Sequence, residues 1–221
     1  FHDVSHELRS PLSRLQAAIG VLQQNPARLT AMIERMGREV ERLDELVGEI
    51  LTLARLSEPG TPRFERQTLD VIDLIREIVE DASFEGQARE VKVTYQGVET
   101  FVASVNGELI YRALENVIRN AIAHTQVGTS VLVASEVRGT DLLLSIQDEG
   151  LGVPESELET IFQPFSQSST VTTRSGFGLG LAITRRAAEW HGGGATATNG
   201  PSGGLRVEIK ISRALATNLT G

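Results

Sequence analysis

From position 29 to 54 the apolar residues fall at Leu29, Ile33, Met36, Val40, Leu43, Val47, Ile50 and Ala54, alternating steps of four and three. That spacing is the seam of a helix lying lengthwise against other helices, and it predicts one long amphipathic helix. Upstream, Val4, Leu8, Leu12, Leu15, Ile19 and Leu22 form a second stripe of similar spacing, and Asn25-Pro26 separates the two. The pair reads as a short turn between antiparallel helices, because a proline lacks the N–H that would continue the first. One hairpin cannot bury both stripes. A second copy across a two-fold axis completes a four-helix bundle, so the pattern predicts a homodimer.

Residues 57–62, Ser-Glu-Pro-Gly-Thr-Pro, place two prolines and a glycine in six positions, which stops the helix and marks a boundary. The expected organisation is a helical domain over 1–57, a linker over 58–69 and a second domain over 70–221. Helical spacing returns at 71–89, 107–124 and 179–191, with strand-like segments at 91–95, 100–105, 131–137, 142–146 and 205–211. Arg138-Gly139-Thr140-Asp141 joins two of these strands as a hairpin. Strands gathered among helices that do not alternate with them predict an α+β class, an antiparallel helical hairpin followed by a layer of helices on one sheet face.

Composition narrows the partners. Lys and Arg count 21 against 29 Asp and Glu, a net charge of -8, where a broad phosphate-backbone footprint needs the opposite sign; no nucleic acid is expected. There is no cysteine, hence no thiol nucleophile, disulfide framework or Cys-based metal site. No apolar run approaches the ~20 residues that cross a bilayer, so these residues are not expected to span a membrane. The first residue is Phe1 rather than Met, and the chain reads as part of a longer protein.

Four places carry candidate chemistry. In His6-Glu7-Leu8-Arg9-Ser10-Pro11-Leu12, helical geometry turns His6 roughly 170° from the apolar stripe, toward water. A neutral imidazole there is a competent nucleophile, Glu7 stands beside it to stabilise positive charge on the ring, and Ser10 follows one turn later on the same face. Pro11 is expected to kink the helix beside them. Arg112, Asn116, Asn120 and His124 form a four-step row beside the apolar face of Leu109, Ala113, Val117 and Ala121. Amides so placed make sense facing a polar ligand, because carboxamide oxygens are hard ligands suited to Mg²⁺ beside phosphates. Asp148-Glu149-Gly150-Leu151-Gly152 puts a carboxylate at a strand end, followed by glycines that let a ligand approach. Ser175-Gly176-Phe177-Gly178-Leu179-Gly180-Leu181 precedes a helix whose N-terminus can face phosphate oxygens, and the small polar residues 166–174 before it have the composition of a lid.

Taken in order, these segments resemble the H, N, G1, F and G2 boxes of two-component sensor histidine kinases. Residues 6–12 resemble the H-box, 116–125 the N-box, 148–152 the G1 box, Phe162-Gln163-Pro164-Phe165 the F-box and 176–181 the G2 box. The resemblance covers nearly the whole chain. It implies a dimerisation and histidine-phosphotransfer hairpin followed by a two-layer α/β sandwich of the gyrase, chaperone and mismatch-repair ATPase type. His6 would accept the γ-phosphoryl group of ATP with Glu7 as acid/base partner, and pass it to a response-regulator aspartate. Asp148 would read the adenine amino group, Asn120 would coordinate Mg²⁺, and Asn116 would support the metal and phosphates. His124, Gly150, Gly152, Phe165, Arg174, Gly176, Gly178, Leu179 and Gly180 would complete the nucleotide site. Ser10 stands where the family usually has Thr or Asn, Ala123 where Lys or Arg is frequent and His124 where Tyr is common, which bears on response-regulator phosphatase activity and on phosphate affinity. The family also implies a parent protein in a bacterial inner membrane with this core in the cytoplasm. A dimeric scaffold with a degenerate ATP domain, and an ATPase transferring to water, are the alternatives.

Overall fold

The computed structural model describes residues 2–57, 64–169, 176–201 and 203–213, with main chain alone at 2–6 and 26. The chain divides into two compact units, Phe1–Ala54 and Arg55–Gly221.

In the first unit, α1 (His2–Gln24) and α2 (Leu29–Ser57) are joined by a 3-10 turn at Pro26–Arg28. Asn25 makes that turn: its side-chain oxygen accepts from Ala27 N–H at 3.2 Å and its carbonyl from Arg28 N–H at 3.1 Å. An ion pair of 2.7 Å between Arg14 Nε and Glu39 Oε1 joins residues equidistant from the turn, as antiparallel helices require. The two apolar stripes split into heptad sub-rows. Leu8, Leu15 and Leu22, with Met36, Leu43 and Ile50, are half-buried, and Ala18 and Leu46 are fully buried. Leu12 and Ile19, with Ile33, Val40 and Val47, stay exposed in the single chain. One sub-row therefore serves the hairpin and the other is an apolar face available to a further helix pair. Pro11 lies buried inside α1.

The second unit opens with β1 (Gln67–Asp70), whose first three residues fall inside the stretch expected as linker and which pairs antiparallel with β3 (Val102–Val105). Between them lie α3 (Val71–Gln87) and β2 (Lys92–Gln96). Asp70 explains why β3 starts at 102 rather than 100: its carboxylate caps α3 at Ile72 N–H (2.9 Å) and also accepts from Phe101 N–H (2.8 Å). Then follow α4 (Gly107–His124), β4 (Ser130–Arg138), β5 (Asp141–Gln147), two 3-10 turns, α5 (Gly180–Trp190), β6 (Gly194–Asn199) and β7 (Leu205–Ser212). The main sheet has order β2-β4-β5-β7-β6, with β2 parallel to β4 and the other pairs antiparallel.

One sheet face is buried. Val131 and Val133 of β4, Leu142, Leu144 and Ile146 of β5 and Val207, Ile209 and Ile211 of β7 share one cluster with Ile75 and Ile78 of α3, Leu114 and Ile118 of α4 and Ala188 of α5. Across β5–β7, Leu142 faces Ile211, Leu144 faces Ile209 and Ile146 faces Val207, so apolar pairs stack in register while Glu208 and Lys210 point away. This is the expected two-layer α+β arrangement. Arg66 fastens the approach to β1, donating to Ser104 O (3.0 Å) and Trp190 O (2.9 Å) with its guanidinium 4.1 Å over the Trp190 ring.

Candidate active site

Asp148 follows the last residue of β5 and is 5% exposed. Its Oδ1 accepts from Gly150 N–H at 2.7 Å and from Leu205 N–H at 3.1 Å, while its own N–H donates to Leu205 O at 3.1 Å. Oδ2 has no hydrogen-bond partner among the described residues. Burial raises the pKa of this carboxyl, opposed by the two main-chain donors and by His124. The result is a carboxylate with one oxygen anchored and the other left for an external N–H.

The N-box helix and the G1 loop meet here. A Cβ on Gly150 would lie 2.4 Å from His124 O, so only glycine lets the loop run this close to the end of α4. Glu149 N–H donates to Thr125 Oγ1 (3.1 Å), and Glu149 Oε1 accepts from Ser130 N–H (3.2 Å) and Ser130 Oγ (2.5 Å). His124 is exposed at the end of α4, yet its pKa is lowered because surrounding chain displaces water from the ring; Asp148 opposes this and Arg89 adds to it.

The other wall is the start of α5. Asn116 Nδ2 donates to Gly180 O at 3.3 Å, and Thr184 Oγ1 bridges Ala113 O (3.0 Å) and Gly180 O (2.9 Å), fixing α5 against α4. Asn120, one turn beyond Asn116 on α4, is half-buried, and its carboxamide makes no hydrogen bond among the described residues. No side chain caps α5, so its first N–H groups are open to an anion. Leu179 is fully buried, which leaves only its main chain to face a ligand.

The F and G2 segments also touch. Phe165 has φ +64 and Gly178 φ +73, and a Cβ on Gly178 would lie 2.5 Å from Ser166 O. Gln167 Nε2 donates to Gly176 O at 3.2 Å, which brings the two ends of the expected lid together. At its upstream end Glu157 accepts from Ser168 Oγ (2.6 Å), Ser169 Oγ (2.5 Å) and Ser169 N–H (3.1 Å). These serine bonds hold the Glu157 carboxyl below its ordinary pKa. Arg174 lies outside the described residues.

On α1 the His6 side chain lies outside the described residues, Glu7 is half-buried and Ser10 is exposed. Ser10 Oγ accepts from Arg14 Nη1 at 2.7 Å, and Arg14 is in turn held by Glu39. The sequence alone does not point to Arg14, Glu39, Glu157 or Thr184. The four-residue step from Ser10 to Arg14 was the one local signal; Glu39 is 25 residues from its partner and Thr184 is 71, beyond any periodicity. The structure brings Asn116, His124, Asp148, Gly150 and Gly180 into one neighbourhood within the second unit.

Two family models match. Residues 1–59 match the His Kinase A (phospho-acceptor) domain, and residues 105–215 match the histidine kinase-, DNA gyrase B-, and HSP90-like ATPase. Among curated relatives, the sensor histidine kinase CpxA of Escherichia coli strain K12 is 31% identical over 212 residues, covering 94% of this chain and 45% of CpxA. The sensor protein PfeS of Pseudomonas aeruginosa is 36% identical over 203 residues, covering 90% of this chain and 44% of PfeS. The chain thus spans a little under half the length of these relatives. Among solved structures, the Acinetobacter baumannii histidine kinase AdeS superposes with a TM-score of 0.79 at 22% identity, covering 95% of this chain and 98% of that one. The histidine kinase ThkA, solved in complex with the response regulator TrrA, superposes with a TM-score of 0.76 at 24% identity over 96% of this chain and 60% of that one. Both share the fold. The chain belongs to the sensor histidine kinases, with a His Kinase A domain followed by an ATP-binding domain of the kinase, gyrase B and HSP90 type.

Proposed function

We propose that the chain is the catalytic core of a two-component kinase: it phosphorylates His6 from ATP and passes the phosphoryl group to an aspartate of a response regulator. The observation that carries this reading is the Asp148 carboxylate, anchored through Oδ1 with Oδ2 unpartnered beside the N-box helix. An acceptor so held suits the 6-amino group of adenine and disfavours guanine, which presents a carbonyl there. The uncapped start of α5 and the amides of Asn116 and Asn120 lie on the side of the site suited to phosphates.

Among the described residues no group of three His, Asp or Glu could hold a metal by itself. The donor set still fits Mg²⁺, because a hard ion that keeps several waters needs one or two protein oxygens beside phosphate oxygens, and Asn120, supported by Asn116, offers one. When bound, Mg²⁺ supplies charge neutralisation on the phosphates. The protein's own part is positioning. A neutral ring nitrogen of His6 attacks the γ-phosphorus, the bond to the β–γ bridging oxygen breaks and ADP leaves, and Glu7 takes the proton from the cationic ring. In a separate phosphatase reaction, Ser10, held by Arg14, orients a water that attacks the regulator's phosphoaspartate, releasing inorganic phosphate and the free carboxylate.

The exposed sub-row Leu12, Ile19, Ile33, Val40 and Val47 supports a homodimer through the hairpin. No helix among the described residues is long and apolar enough to cross a membrane. We place this core on the cytoplasmic side of a bacterial inner-membrane parent, where a response regulator is available, with the helical domain ending at 57 and the ATP-binding domain opening with β1 at 67 rather than at 70. The test is labelling with γ-radioactive ATP. Acid-labile, alkali-stable label present in the parent chain and absent in His6→Ala supports the reading; label persisting in that variant, or turnover to free phosphate without protein label, refutes it.

A further inference from the structure

The turn between β6 and β7 belongs to none of the five boxes, yet it grips the loop after Asp148 from two sides. Asn199 and Leu205 face each other across the β6–β7 ladder. Leu205 holds one end of the loop through its carbonyl, which accepts from Asp148 N–H, and through its N–H, which donates to Asp148 Oδ1. Asn199 holds the other end with a single carboxamide: Oδ1 accepts from Val153 N–H at 3.0 Å and Nδ2 donates to Val153 O at 2.7 Å. The turn is tightened by Gly200 N–H to Gly204 O (2.9 Å) and Gly203 N–H to Gly200 O (3.1 Å). Gly204, at φ +78, sits so close that a Cβ would lie 2.0 Å from Asp148 O.

Loop 148–153 contains two glycines and no regular structure, so its conformation depends on what holds its ends. We propose that Asn199 is a positioning residue for purine recognition. By clasping Val153 opposite the Leu205 anchor, it closes the loop into a ring and keeps Asp148 Oδ2 aimed outward before nucleotide arrives. A carboxylate ordered in advance spends no binding free energy on ordering at the moment of association. The inference rests on the reading that Asp148 receives the adenine amino group.

The experiment measures binding of ATP and of purine riboside 5′-triphosphate, which lacks the 6-amino group, to the 221-residue chain by calorimetry. The parent chain, Asn199→Ala, Asp148→Ala and the double variant are compared, with Asn199→Asp, which keeps the acceptor for Val153 N–H, as a milder change. Asn199→Ala is expected to weaken ATP about three- to tenfold, the worth of one hydrogen bond, while changing the analogue less than about twofold. In the Asp148→Ala background Asn199→Ala should add nothing, because it acts through that carboxylate. Equal weakening of both nucleotides, or full additivity in the double variant, overturns the role of Asn199 while leaving Asp148 as the reader. Equal affinity of the parent chain for the two nucleotides overturns the Asp148 reading and this inference with it.

Discussion

His191 makes the stability of the ATP-binding domain depend on mild acid. It follows the last residue of α5, is 1% exposed, and is bonded at both ring nitrogens. Nδ1 lies 2.6 Å from Ala187 O, an acceptor, so Nδ1 carries the proton; Nε2 then accepts from Asn106 N–H at 3.0 Å. Protonation would set a second N–H against that of Asn106, the residue whose side chain caps α4 at Leu109 N–H. Burial pushes the His191 pKa down to about 4; the Ala187 carbonyl opposes this and Arg66 adds to it. In the unfolded chain the value returns to 6.5, so below that pH the unfolded state binds more protons than the folded one. The stabilisation from the neutral ring is therefore complete above pH 6.5 and is lost progressively as pH falls toward 4. At about 1.4 kcal/mol per pH unit, the whole interval corresponds to about 3 kcal/mol. Urea unfolding between pH 7.5 and 4.5 measures it, with His191→Gln as the non-titrating comparison. The variant should be less stable at pH 7.5, and the gap to the parent should close as pH falls. Parallel curves for the two proteins would refute the argument, since every other group titrates equally in both.

Three further outcomes are expected. Thr184→Val removes the hydroxyl that bridges α4 and α5 from a fully buried position, and should cost about 1 to 2 kcal/mol in denaturant unfolding; an unchanged midpoint would show that the bridge contributes nothing. Gly178→Ala combines a positive φ with a clash against Ser166 O, and should destabilise the segment by about 1 to 3 kcal/mol and weaken nucleotide binding, read by thermal shift with and without ATP. Val40→Asp places a charge in the exposed heptad row and should shift sedimentation equilibrium toward monomer, whereas the exposed Glu41→Gln next to it should not; a variant as dimeric as its parent would locate the interface elsewhere.

Periodicity alone determined the two hairpin helices, the three helices of the second unit and the central strands β4, β5 and β7, because each carries its own apolar repeat. It missed β1, whose Gln67-Thr68-Leu69-Asp70 has no alternation to read, and β6, whose alternating Ala and Thr bury too little apolar surface to register. Both exist because a neighbouring strand supplies their hydrogen bonds. The candidate site divides the same way. His6, Asn116, Asn120, Asp148 and the glycines were visible because their residue types are costly or unusual where they stand. The state of Asp148, with one oxygen tied to Leu205 57 residues away, was not visible, nor were Glu39 behind Arg14 and Asn199 behind Val153. Local sequence specifies which helix or strand forms and which face it buries. Only the folded chain decides which distant main-chain groups a side chain meets, and so which of its atoms remain free for chemistry.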